Sequence, residues 1–423
     1  MTRTLAILVF AAVAAAAPDE KRVRTALYEL LAEPKEAGRK KIIESLEDAG
    51  GSIDEIEQVI RKGPRYPRDA AEAKGLVRIG GGAGGYTFEH DGRTYGYAVH
   101  VPSGYDPDKG NALLLDPGHG SWAEKTLEEK VGDFGFFRGQ ADDAGGRDWL
   151  LVRTEIVEQI GPDARGLPEE EGNRIFQLMF RDLATRYHFD PDRIYVAGLS
   201  QTGFWSWELG CCRADRFAGL APMGAVTFEV NHLHANLLAV PVYVLHGAKD
   251  KTCAVGQPRA TCGELARIGV NVRYHELPGA GHDGTVWGTL STALQWLKEM
   301  PRERYPKRVS KSLQTAQDGW CYWIRIDKLE DEGTGKAGEK PKAGIDGELD
   351  GQTVRLHSEG VSKITLCLAS EMVDLDAPLT VTWNGKTVFE GKVERSLATM
   401  LDLVYDKTDW KETFEAALEL KAP

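Results

Sequence analysis

The chain has 423 residues, with 64 acidic against 52 basic side chains and a net charge of −12. That length asks for two or three folding units, and that balance argues against a nucleic-acid or anionic-membrane partner. Six cysteines sit at spacings that match no zinc motif, although in an exported chain they could pair as disulfides.

Met1-Thr-Arg3-Thr opens the chain with one basic residue, and Leu5 to Ala17 is apolar and ends in alanines. This stretch is too short to span a bilayer and reads as a secretory signal peptide over residues 1–17, with Ala16 as the cleavage position. The expected location is therefore secreted or periplasmic, with no membrane contact after cleavage. Residues 18–78 follow with helical spacing at Val23, Leu27, Leu30 and Leu31, at Ile42, Ile43 and Leu46, and at Ile53, Ile56, Val59 and Ile60. Gly50-Gly51 separates two of these helices, and Ser52 and Asp54 are available to cap the next. A helical prelude of about three helices is expected. It could pack on the core, form a lid or act as a spacer.

Beyond Gly80 the pattern changes to strands. Tyr86–His90 and Arg93–Val101 alternate around Asp91-Gly92 and predict a hairpin. Ala112 to Leu115 is a short buried strand leading into Asp116-Pro117-Gly118-His119-Gly120. Asp148 to Arg153 is another core strand, and Ile175 to His188 is an amphipathic crossover helix. Strands alternating with helices predict a mostly parallel sheet flanked by helices, with chemistry at its carboxyl edge.

Arg193-Ile-Tyr-Val-Ala197 is a buried strand, and Gly198-Leu-Ser200-Gln201-Thr202-Gly203 turns sharply from it into a helix. A serine on such a turn is lifted clear of the sheet, where a base can reach its hydroxyl. Val240 to Leu245 is a further strand, whose end His246-Gly247-Ala248-Lys249-Asp250 presents an acid. Asn271 to Leu277 alternates as one more, and Pro278-Gly279-Ala280-Gly281-His282-Asp283 follows it. The chemistry implied is nucleophilic: Ser200 attacks, His282 takes its proton, and Asp250 orients the imidazole, with Asp283 as the spare acid. His232 and His234 form an H-x-H pair without a third ligand at a telling spacing, so no metal is expected. Cys253 and Cys262 bracket a turn beside Asp250, and a bridge between them would pin it. Cys321 with Cys367, and the vicinal pair Cys211-Cys212, are the other candidates.

Residues 303–318, with Pro306 and several lysines and arginines, read as a linker. From 319 to 423 the runs Gly319–Ile326, Thr353–His357, Ser362–Leu368, Leu379–Trp383 and Lys386–Glu390 alternate at period two, with Asn384-Gly385 as the tightest turn. A small β-sandwich-like accessory domain is expected, closed by a helix from Thr399 or Asp409 onward.

From about residue 84 to 300 the chain resembles the α/β-hydrolase superfamily. The resemblance rests on Phe189-Asp-Pro-Asp-Arg-Ile-Tyr-Val196 before the turn, Arg216–Pro222 after its helix, His246-Gly247-x-x-Asp250 and Gly279-Ala280-Gly281-His282. Within the superfamily it is similar to extracellular esterases of the polyhydroxyalkanoate depolymerase, feruloyl esterase and phospholipase/carboxylesterase type. The resemblance implies an α/β-hydrolase catalytic domain over 79–302 that cleaves esters through an acyl-serine intermediate without a cofactor. Small-molecule or polysaccharide-linked esters are the substrates it suggests. The residue after Ser200 and the loop after the Ala112–Leu115 strand are expected to supply an oxyanion hole from the backbone N–H of Gln201 and of His119, with Gly118 as the alternative to His119, and Trp122 in that loop is the expected substrate contact. Two departures stand out: Thr202 replaces the second glycine of G-x-S-x-G, and the oxyanion segment is spelled differently. Other readings of the same residues are a prolyl-oligopeptidase-like serine peptidase, whose large propeller this chain lacks, and a non-catalytic glycan-binding protein on a hydrolase fold.

Overall fold

The computed structural model describes residues 17–48, 50–72, 76–78, 83–118, 134–154, 170–227, 230–313, 319–331 and 343–423. Residues 1–16 of the expected signal segment, His119 and Trp122 lie outside these residues.

Three helices come first: α1 (Glu20–Ala32), α2 (Glu36–Glu47) and α3 (Ile53–Ile60). Asp19 caps α1, accepting from the Lys21 and Arg22 amides. Ser52 and Glu55 form a reciprocal capping box on α3, so these helix starts are written locally in the chain. The apolar stripe of each faces inward, with Val23, Leu27, Leu30, Leu46 and Ile60 without exposed surface.

A nine-stranded sheet follows, built from β1 (Leu76–Arg78), β2 (Ala83–His90), β3 (Arg93–His100), β4 (Asn111–Asp116), β5 (Leu150–Thr154), β6 (Phe189–Leu199), β7 (Gly219–Met223), β8 (Val242–Gly247) and β9 (Val272–Leu277). Its order is β1-β2-β3-β5-β4-β6-β7-β8-β9. The first three strands and β5 pair antiparallel, and β5 through β9 run parallel. The β2–β3 turn uses Asp91 and Gly92 at φ +48° and +75°, the left-handed pair that a two-residue hairpin requires. Every residue of β4 and β8 is buried, as expected of strands covered on both faces. The helices α4 (Phe134–Asp143), α5 (Glu170–Ala184), α6 (Gln201–Cys212), α7 (Gly256–Ile268), α8 (Gly284–Trp287) and α9 (Leu290–Leu297) complete these layers.

The C-terminal part is a sandwich. One sheet orders β10 (Arg308–Leu313), β13 (Ala343–Asp350), β14 (Thr353–Glu359), β16 (Leu379–Trp383) and β17 (Lys386–Gly391). The other orders β11 (Trp320–Cys321), β12 (Ile324–Leu329), β15 (Val361–Leu368) and β18 (Ala416–Lys421). Their inward faces share one core, in which Trp323 and Trp383 are fully buried. Helix α10 (Leu397–Lys407) lies between the last strands of the two sheets in sequence.

Three boundaries differ from expectation. Leu76–Arg78, assigned to the helical prelude, pairs antiparallel with β2 and extends the sheet by one strand. The stretch 303–318 contains β10, which pairs over its whole length with β13; Arg308 is exposed there but Lys311 is buried against the Cys212 carbonyl, so the segment is a strand and not a solvated tether. The closing helix begins at Leu397, and the residues after it return to form β18 against β15.

The helical prelude packs on the nine-stranded sheet. Helices α1–α3, α5 and α10 share one apolar cluster with one face of the nine-stranded sheet, and Trp410 packs there against Phe189. Burial of Leu27, Leu30, Ile60, Met400 and Leu401, each without exposed surface, contributes on the order of 10 kcal/mol before entropy is counted. A buried ionic cluster welds the sandwich to the sheet. Lys407 Nζ meets Asp215 at 2.9 Å and Glu412 at 2.5 Å. Arg302 meets Asp409 at 2.7 Å and Asp192 at 3.1 Å, and Arg216 donates to the Lys407 carbonyl. Burial pushes the Glu412 carboxyl up to about 7 against the pull of Lys407 and Arg302. The cations of Arg216, Arg302 and Lys407 face the carboxyl groups of Asp192, Asp215, Asp409 and Glu412. Removing one member leaves a buried charge without its partner.

Lys407→Ala is therefore expected to cost about 3–5 kcal/mol. Differential scanning calorimetry of the full chain should show a single transition that moves down as a unit. Loss of the sandwich transition alone, with the remainder unshifted, would contradict the shared core.

Candidate active site

Because β6, β8 and β9 run parallel, their carboxyl ends lie along one edge of the sheet. Ser200 leaves β6, Asp250 follows β8, and His282 follows β9. The structure brings all three together: His282 Nε2 is 2.9 Å from Ser200 Oγ, and His282 Nδ1 is 2.7 Å from Asp250 Oδ2. An ionised carboxylate only accepts, so Nδ1 carries the proton and Nε2 is left to accept from the serine hydroxyl.

Ser200 adopts φ +56°, ψ −118°, a region that costs a non-glycine residue about 1–3 kcal/mol. Several contacts hold it there. The Ser200 amide donates to Met223 O at 2.9 Å, and Ser200 O accepts from the Phe204 amide at 2.9 Å. Gly198 allows the turn to close, since a Cβ there would stand 2.4 Å from the Thr202 backbone. Ser200 makes no side-chain cap bond to α6, which leaves Oγ to His282. The departure at Thr202 now has a physical reason. Its buried hydroxyl accepts from the Leu199 amide at 2.8 Å and lies 3.1 Å from Leu199 O. The close approach to β7 falls instead to Gly203, where a Cβ would meet Met223 O at 2.7 Å.

Asp250 is buried completely at its side chain. Its Oδ1 accepts the amides of Thr252 and Cys253, each at 2.8 Å. Hydrogen bonds to its charged form are what a buried carboxylate needs. Strand ends β8 and β9 are zipped together by Ala248 N to Leu277 O at 3.0 Å and Lys249 N to Ala280 O at 2.9 Å. Gly247 makes that possible, because a Cβ there would stand 2.3 Å from Gly281 O. Gly224, at φ +52°, lies under the His282 ring, where a Cβ would come within 3.5 Å of it.

Asp283, the spare acid, turns away from this chain of bonds. Its carboxylate accepts from the Gly281 amide at 3.1 Å and the Thr285 amide at 2.8 Å, capping α8, and those bonds, with Thr285 first, hold it below the usual carboxylate range. All six cysteines are free, so backbone amides and not a Cys253–Cys262 bridge fix the acid loop. Burial, with Asp250 nearby, pushes the Cys253 thiol up to about 11. His234 is buried with Nδ1 3.5 Å from Glu264, and burial holds it below the ordinary histidine range.

Gln201 is the first residue of α6, where backbone N–H groups face out of the helix end. Gly118, the alternative second donor, gives its N–H to Asp116 Oδ1 at 3.2 Å, so its amide serves the turn instead. Sequence reasoning missed the partner of that turn. Arg153 reaches Asp116 Oδ2 through Nε at 2.7 Å and Nη2 at 2.6 Å, tying β4 to β5 just before His119. The signal was a lone charge ending each of two apolar strands.

The order of the sheet and a serine on a strained turn between strand and helix decide the architecture. The chain has the α/β-hydrolase fold. No family model matches it. Among curated proteins, 69 residues are 41% identical to part of a non-reducing polyketide synthase, Preu3 of Preussia isomera. That match covers 15% of this chain and 3% of the synthase, so the chain spans a small fraction of that relative's length. Solved structures with similarity include a thermostable esterase at 20% identity and TM-score 0.41, matched over 54% of this chain and 64% of that one. A ferulic acid esterase is similar at 15% identity and TM-score 0.41, over 51% of this chain and 98% of its own. The S-formylglutathione hydrolase FrmB of Staphylococcus aureus is similar at 15% identity and TM-score 0.38, over 53% and 99%.

Thr202→Val is expected to leave the Leu199 amide without its partner, costing about 1–3 kcal/mol and slowing fluorophosphonate labelling of Ser200, whereas Thr202→Ser keeps both. Equal melting temperature and labelling rate in Thr202→Val would show that the hydroxyl does not support the turn.

Proposed function

We propose that this chain is a serine hydrolase that cleaves carboxylic esters through an acyl-serine intermediate. The observation that carries the reading is the unbroken hydrogen-bonded chain Ser200–His282–Asp250 at the carboxyl edge of the sheet. Ser200 Oγ attacks the acyl carbon while His282 Nε2 takes its proton; the carbonyl π pair moves onto oxygen. Collapse of that tetrahedral species expels the alcohol, which receives the proton from His282. Water repeats the sequence on the acyl-serine and releases the acid. Asp250 stays ionised throughout and stabilises the imidazolium. Gln201 N–H, at the helix terminus, faces the developing oxyanion, with His119 as the proposed second donor and Trp122 as a wall of the substrate site. No step asks for a cofactor. Polysaccharide-linked esters remain within the proposal, since the acyl and alcohol sides are both set by loops at this edge.

Turnover of p-nitrophenyl acetate or butyrate, and labelling by a fluorophosphonate, are expected for the native protein and absent in Ser200→Ala. Asp250→Asn should lower kcat by roughly 10⁴ by presenting the wrong tautomer partner. Asp283→Asn should cost no more than a few-fold. Cleavage of aminoacyl-prolyl amides without ester turnover, or equal losses in the two Asp variants, would contradict the reading.

A further inference from the structure

His246 lies at the end of β8, four residues before Asp250, and its imidazole has no exposed surface. Its Nε2 is 2.8 Å from the Cys253 carbonyl oxygen and 3.4 Å from Asp250 Oδ2. A carbonyl oxygen cannot donate, so Nε2 carries a proton. Its other nitrogen, Nδ1, is buried with no hydrogen-bond partner. A second proton there would bury a donor with nothing to receive it, so the neutral Nε2–H form is the one that fits.

Three N–H groups thus donate to the buried Asp250 carboxylate, and a fourth lies beside it. The Thr252 and Cys253 amides occupy Oδ1. His282 Nδ1–H occupies Oδ2, and His246 Nε2, whose hydrogen bond goes to Cys253 O, stands 3.4 Å from that same oxygen. The other charged group beside His246 is Glu276, its register partner on β9, which its bonds to Arg259 and Tyr274 hold low, at about 2. The Cys253 backbone is used twice: its amide donates to Asp250 and its carbonyl accepts from His246. The acid, its loop and the strand beneath are thereby closed into one ring of bonds.

We propose that His246 is a positioning residue for the acid of the site: its Nε2–H holds the Cys253 carbonyl, and with it the loop whose amides bind Asp250 Oδ1, and stands beside Oδ2, keeping that oxygen against His282 Nδ1. This rests on the serine-hydrolase reading of Ser200, His282 and Asp250. The two loop amides alone leave Oδ2 held only by the ring it must orient. His246 adds a contact from the rigid strand and does not itself touch substrate.

The test compares His246→Phe, which fills the space without a donor, and His246→Gln, which restores an N–H, in the full chain. Rates are normalised to the sites labelled by a fluorophosphonate. His246→Phe is expected to lower kcat about 10- to 100-fold with KM little changed and to weaken or lose the far-downfield proton resonance of His282 Nδ1–H; His246→Gln should recover part of both. In the native protein, nitrogen-15 NMR should show the His246 proton on Nε2 and not on Nδ1. Native kcat per labelled site and an unchanged downfield proton in a folded His246→Phe would overturn the proposal. A native His246 that carries its proton on Nδ1 would overturn it too, and this reading does not depend on any variant folding. Failure of the native protein to hydrolyse esters or take the label would instead sink the underlying reading.

Discussion

A carboxylate without exposed surface sets the terms for this site. Burying the Asp250 charge would be prohibitive unless its oxygens were met by donors, and the loop after β8 is shaped to supply them. Two backbone amides and two imidazole N–H groups lie against it. The geometry that satisfies the charge also fixes the tautomer of His282, and that tautomer leaves Nε2 facing Ser200. Local electrostatics and catalytic competence are thus one arrangement, and the glycines at 224 and 247 are the space it needs.

The strain at Ser200 belongs to the same logic. A positive φ on a serine persists only where the surroundings impose it, and here they do so through the Met223 carbonyl, the close packing of Gly203 on β7 and the Thr202 hydroxyl. That turn is anchored to the middle of a sheet whose central strands are buried on both faces. The sheet in turn is covered by helices from both ends of the chain. Stability of the core and placement of the serine are linked through β6, which carries Ser200 at one end and packs against Trp410 at the other.

Much of this was legible in the sequence because it is local. Gly198-Leu-Ser200, His246-Gly247-x-x-Asp250 and Gly279-Ala-Gly-His282 each carry their own turn chemistry, and parallel strands bring their ends together without further information. Asp91-Gly92 and Asn384-Gly385 likewise state their turns outright. What periodicity does not reveal is which surface an apolar stripe will meet. The stripes of α1 to α3 and of α10 look the same whether they form a lid, a spacer or a wall, and only the folded chain joins them in one cluster. Strand β10 was hidden because its alternation is written in Ser, Lys and Arg. Buried Lys311 and Ser310 face neighbouring chain there instead of water. The Thr202 hydroxyl was unreadable for a similar reason: its partners, Leu199 N and O, belong to the backbone.

The central claim is that Ser200 and His282 act as a unit. Residues acting as a unit lose activity non-additively, so the decisive measurement is kcat for Ser200→Ala, His282→Ala and the double variant on one activated ester. The account predicts that the double variant is no slower than either single one. Losses that multiply, with each single variant retaining substantial turnover, would contradict it.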